Sequence, residues 1–281
     1  MKNLKLILGI IIGFIILLGC VIFVDGSIAK FIPTQPFGGM AEFAIRILLM
    51  TISYFVIKKM YKKNIGPSTK NLAKAVFIYG AGMWIPIILD FIFRYKTPLV
   101  SLTAALPTLI GIFFSEMGTG VLEELVFRGY FFNAFVDRLG NSKKGVFASM
   151  ILSSSVFGLI HILNLIGNPE LIVATIAQVI YAIMFGCFFC MIYYCSGNIW
   201  PCILLHGIID FAAKFWNAFN PAPRVDDTIF MGIFSVAVCA ILMISAIIQL
   251  NKEFKNTALE NKEAVSNSEE TLYALDNPAK C

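Results

Sequence analysis

Charged residues are scarce in this chain. Asp, Glu, Lys and Arg supply 14% of its 281 residues, where an average soluble domain has about 25%, and 58% of the residues are apolar. That balance excludes a soluble enzyme. A mean hydropathy of +0.82 likewise excludes a disordered chain and a nucleic-acid-binding domain. Histidine is scarcer still, with only His161 and His206 present. Seven cysteines occur, but no aqueous segment holds a pair that could cross-link, so a secreted disulfide scaffold is excluded as well. Cys187 and Cys190 have redox-motif spacing; inside a continuous apolar helix they read as two packed thiols. The sequence also lacks an internal repeat and any polar stretch long enough for a sizeable extramembrane domain.

What is present is apolar runs of membrane-crossing length. They cover about Leu6–Val24, Ala41–Ile57, Leu72–Phe93, Leu99–Phe114 with a continuation, Val146–Ile166, Leu171–Tyr194, Ile199–Phe215 and Ile229–Leu250. The expected fold is all-α, a polytopic membrane protein with about eight transmembrane helices. Turn residues mark the breaks, among them Gly140-Asn141-Ser142, Gly167-Asn168-Pro169, Ser196-Gly197-Asn198 and Asn220-Pro221-Ala222-Pro223. Leu17-Leu18-Gly19-Cys20 has a faint likeness to a lipoprotein cleavage box, but the apolar run continues past it, so an uncleaved first span is expected.

The net charge of +5 is divided along the chain. Residues 1–250 hold 18 basic against 11 acidic residues, or +7, whereas residues 251–281 hold 4 against 6, or −2. The first unit, 1–250, is read as the membrane domain. The second, 251–281, is read as a polar cytoplasmic tail, flexible apart from a helical turn or two, and its terminal Cys281 is not a prenylation box. Lys2, Lys5, Lys58, Lys59, Lys62, Lys63, Lys70, Lys74, Arg138, Lys143 and Lys144 fall on one side of the spans. Lys30, Arg94, Lys96 and Arg224 fall on the other. The positive-inside rule therefore puts both termini in the cytoplasm.

An ionisable side chain inside a span costs several kcal/mol unless paired or solvated, so each is a functional candidate. The densest cluster is Glu123-Glu124-Leu125-Val126-Phe127-Arg128. Glu124 and Arg128 lie one helical turn apart, able to hold both charges as a pair, while Glu123 points about 100° away and stays free. A salt bridge lying at the headgroups is the structural alternative. Glu116 sits two turns before Glu123 on the same face, as a supporting or merely packed group. Both histidines fall in apolar helices, and His206 has Asp210 one turn later to accept its ring proton and fix the tautomer. If the Glu123 helix runs straight to Leu139, Glu123 and His161 stand at one height, about 24 Å above the loop at 140–144, whereas His206 stands only about 10 Å in.

One unneutralised carboxylate and two imidazoles are the parts for activating water. Glu123 could take a proton from water, His161 could hold that water, and His206, steadied by Asp210, could donate to the oxyanion of a tetrahedral intermediate, which implies amide hydrolysis. Ser153, Ser154 and Ser155 before His161 read as small packing residues, not nucleophiles. Glu123, His161 and His206 could instead bind zinc with an open water position. HExxH spacing is absent, and residue types alone do not choose between the two.

At these residues the chain resembles the CPBP family of intramembrane proteases, the CAAX prenyl proteases and bacteriocin-processing (Abi) proteins. The three signatures are Glu123-Glu124 with Arg128 (EExxxR), Phe157 with His161 (FxxxH), and His206 with Asp210 (HxxxN or HxxxD), in order across about 105–215. The resemblance implies a multi-span α-helical protease with Glu123 as general base. Glu124 and Arg128 give it support, and His161 and His206 contact water or oxyanion. Asp210 stands where many members have Asn. The implied enzyme is a bacterial cell-membrane endopeptidase acting on a peptide or protein segment at the bilayer, without nucleic acid and with glutamate favoured over zinc. The alternative is a non-catalytic immunity or regulatory protein that uses the same fold to bind a toxin or sensor. A proton-coupled transporter is a third reading, weakened by the lack of a repeat.

Overall fold

The computed structural model describes residues 2–32, 34–166, 169–221 and 228–276, so the breaks at 167–168 and 222–223, Arg224 and Cys281 lie outside the described residues. Among them no strand occurs, and the chain is a bundle of helices. In chain order these are α1 (Lys2–Ile28), α2 (Phe37–Tyr61), α3 (Leu72–Tyr79), α4 (Ala81–Phe93), α5 (Leu102–Leu139), α6 (Lys143–Leu165), α7 (Pro169–Ser196), α8 (Trp200–Lys214) and α9 (Thr228–Asp276).

Six of these helices are long and apolar enough to cross a membrane, and α3 with α4, bent by 59° at Gly80, makes a seventh if the pair is one broken span and not a re-entrant loop. The seventh expected span, Ile199–Phe215, folds as α8, whose 15 residues reach only about 22 Å. That is short of the roughly 30 Å hydrocarbon layer. α8 instead lies against α5 and α4, with its His206 face buried.

α5 is the most buried of the spans. It packs against α2 on one side and α8 on the other, and small residues allow the close approach. A Cβ added at Gly120 of α5 would stand 2.8 Å from the Ile203 carbonyl and 3.0 Å from the Gly207 nitrogen of α8. Gly120→Val therefore has to push two backbones apart. We expect a loss of about 1–3 kcal/mol of stability, read as a lower melting temperature in detergent; unchanged melting would show that α5 and α8 are not held in this contact.

α5 is also where the straight-helix reading fails. Its middle, Leu125–Phe132, is a π-helix, and the carbonyls of the wider turns find side-chain donors. Asn133 Nδ2 donates to the Arg128 and Gly129 carbonyls at 3.1 and 2.9 Å, and Ser153 Oγ to the Phe127 carbonyl at 2.6 Å.

The two ends of the bundle differ. At one, Asn198 donates to the carbonyls of Ser68 and Lys70, Trp200 Nε1 donates to the Gly66 carbonyl, and Lys5 pairs with Asp137. This end carries the lysine-rich loops. At the other, Lys96 donates to Asn217 and Asn220 to the Thr97 carbonyl. Phe91, Tyr95, Phe215 and Trp216 cluster there, as aromatic side chains do at a membrane interface. The final helix does not stop at Leu250. It runs through the expected tail to Asp276, where Ala, Leu, Glu and Lys favour continued helix.

Candidate active site

The charged groups converge on a cavity of about 290 Å³ among α4, α5, α6, α7, α8 and α9. Glu123, His161, His206 and Asp210 all line it. Glu123 and Glu124 close the α-helical part of α5, just before the π-helix begins.

Glu124 is fully buried and lies 3.0 Å from Arg128 Nη1, so the pair expected from the spacing is present. Arg128 is also fully buried. Its Nη2 donates to the Gly186 carbonyl at 3.0 Å, and its guanidinium lies between the rings of Phe157 and Phe189, 5.1 and 5.3 Å from their centroids. Neither charge reaches the surface of the bundle.

His206 is fixed differently from the expectation. Its Nδ1 donates to Glu124 Oε1 at 2.7 Å, while Asp210 Oδ2 lies 3.6 Å from Nε2, beyond hydrogen-bond reach. Glu124, not Asp210, therefore sets the tautomer, because the helix turn leaves the Asp210 carboxylate beside the other ring nitrogen. Glu123 Oε2 stands 3.4 Å from Nε2, so the ring is aimed at the carboxylate that Arg128 does not neutralise. Phe189 stacks on the imidazole at 5.4 Å and Phe185 meets it edge-on at 5.6 Å.

His161 enters from the end of α6, where the α-helix tightens into a 3₁₀ turn. Its Nδ1 donates to the Phe157 carbonyl at 2.9 Å, which leaves Nε2 of the neutral ring as an acceptor. Phe157 touches both imidazoles, at 5.3 Å from His161 and 6.1 Å from His206.

The mismatch in height of His206 has two sources. The π-helix takes more residues per turn, so Glu123 lies less far above the 140–144 loop than a straight α-helix would put it. In addition α8 starts beneath the surface: Ile199 and Asn198 are buried under the 64–71 loop.

The serines before His161 pack as expected. Ser154 lies against Gly186, and Ser153 bonds the Phe127 carbonyl. Cys187 and Cys190 are buried thiols. Among the described residues no group of three His, Cys, Asp or Glu side chains has a metal-binding arrangement, and the donors proposed for zinc, Glu123, His161 and His206, do not form such a set. His206 turns one ring nitrogen to Glu124 and the other toward two carboxylates.

Among the described residues, three charged pairs around the site were missed by sequence reasoning. Glu116 is bonded by Lys214 Nζ at 2.7 Å, and Asp90 by Arg94 Nε at 2.9 Å; all four line the cavity. Behind α5, Arg46 of α2 is buried beside Glu42 and donates to Thr119 Oγ1 and the Ser115 carbonyl. The same search for charges within apolar runs would have found Glu42 and Arg46, four residues apart.

Residues 105–212 match the family model described as type II CAAX prenyl endopeptidase Rce1-like. This is the CPBP family that the three motifs resemble. No curated protein and no solved structure matches the chain.

Proposed function

From the premise of an Rce1-like domain at 105–212 in a multi-pass membrane protein, we propose that the chain is an intramembrane endopeptidase in which Glu123 activates water. The observation that carries this reading is the His206 ring, bonded at Nδ1 to the buried Glu124–Arg128 pair and directed through Nε2 at Glu123, inside a cavity shared with His161.

In the proposed reaction, Glu123 takes a proton from a water that His161 Nε2 helps to hold, and the water oxygen adds to the peptide carbonyl carbon. The carbonyl electron pair moves onto oxygen. In its doubly protonated form His206 donates to that oxyanion through Nε2, while Nδ1 stays on Glu124. Collapse breaks the C–N bond, and Glu123 returns its proton to the leaving amine. Glu124 and Arg128 are positioning residues, and Asp210 supplies negative charge beside His206.

The membrane orientation in this proposal has both termini and the lysine-rich loops in the cytoplasm. The glutamate version is supported by the arrangement of the donors around His206. Its experiment is cleavage by purified, chelator-washed protein with metal quantified in the same sample. Activity without stoichiometric metal is the expected result; activity that falls with metal removal and returns with zinc would replace glutamate-activated water with zinc-activated water.

A further inference from the structure

The cavity has a direction. Arg94 and Lys214, with side chains 38% and 53% exposed, mark its open end, while their partners Asp90 and Glu116 are less exposed and His206 is buried. Each surrounding helix contributes the half that lies on one side of His206. α5 gives Thr119 and Glu116, which precede Glu123; α8 gives Ala213 and Lys214, which follow His206; and α9 gives Ser235, near its start. These halves all belong to the end bearing Lys96, Asn217 and the Trp216 aromatic cluster. The other end, with Lys58, Lys59, Lys62, Lys63, Lys70, Lys143 and Lys144, is closed beneath His206. There the buried Asn198 bonds Ser68 and Lys70, and Trp200 bonds Gly66.

Short-loop cations set membrane orientation, and they crowd the closed end. We propose that the cavity opens to the non-cytoplasmic face and takes a polypeptide segment presented from that side: an exported peptide or the outer juxtamembrane stretch of a membrane protein. That the guest is a polypeptide rests on the protease reading; the side of entry does not. The mouth suits such a guest. Arg94 and Lys214 are its exposed charges, each bonded to a more buried carboxylate, Asp90 or Glu116, and they can meet the backbone carbonyls and acidic side chains of a segment arriving from water.

The test is labelling of single introduced cysteines with a membrane-impermeant maleimide, read above the labelling of the parent chain. Ala213→Cys and Ser235→Cys line the cavity, and Lys63→Cys marks the opposite end. In intact cells the first two are expected to label and Lys63→Cys only after permeabilisation. Labelling of Lys63→Cys but not of the cavity positions in intact cells overturns the proposal, as does labelling from both sides or cavity positions silent in both states. Two cavity positions guard against one variant failing to fold. A chain that labels as expected yet cleaves nothing removes the protease reading and leaves the direction of entry standing.

Discussion

Glu123→Gln is expected to abolish cleavage while leaving the melting temperature of the purified protein unchanged. The amide keeps the shape of the carboxyl group and can still lie beside His206 Nε2, now 3.4 Å from the carboxylate, but it cannot accept the proton that water must lose. Removal of a general base costs about 10²- to 10⁴-fold in rate. Stability should not follow, because Glu123 borders the cavity and the buried ion pair is made by Glu124. The measurement is turnover of a cleaved membrane peptide alongside thermal unfolding in the same detergent. A well-folded Glu123→Gln protein that still cleaves would sink the assignment of Glu123. If that variant also kept its effect in cells, a binding role for the fold would take its place.

The largest effect on folding should come from Arg128→Met. Arg128 is fully buried, and its substitution removes the guanidinium from the Glu124 carboxylate, leaving His206 Nδ1 as its partner in the middle of the bundle. Among the described residues Glu124 Oε2 already has no hydrogen-bond partner. Removing one member of a buried pair costs about 3–5 kcal/mol, most of it the uncompensated charge that remains. Adding Glu124→Gln should recover about 0.5–3 kcal/mol, the signature of coupled neighbours in a double-mutant cycle. If Arg128→Met melts like the parent, the pair is not what holds α5 against α7 at Gly186.

The helices were legible because lipid imposes long apolar runs, and the motif residues because a charge in such a run needs a reason. Glu124 with Arg128 followed from their spacing and proved to be in contact. The partner of His206 Nδ1 did not. Asp210 is near in sequence, Glu124 lies 82 residues away, and only the packing of α5 on α8 decides between them. The aromatic enclosure of His206 by Phe185 and Phe189 was equally hidden, since Phe is common throughout the spans. The π-helix leaves no mark in hydrophobic periodicity over eight residues, so a straight α5 overstates the height of Glu123 above the 140–144 loop, although Glu123 and His161 do line one cavity.

That segment also sets the phase of α5. Before it stand Glu123 and Glu124, facing α8; at its end Phe131 packs on Phe14 of α1, and its ring fills the space beside Gly13. Eight residues of a π-helix turn through about the angle of seven in an α-helix, so deleting one residue between 125 and 132 would let the segment tighten to α-helix with the carboxylates still facing α8, at the cost of the carbonyl bonds that Asn133 and Ser153 now make to it.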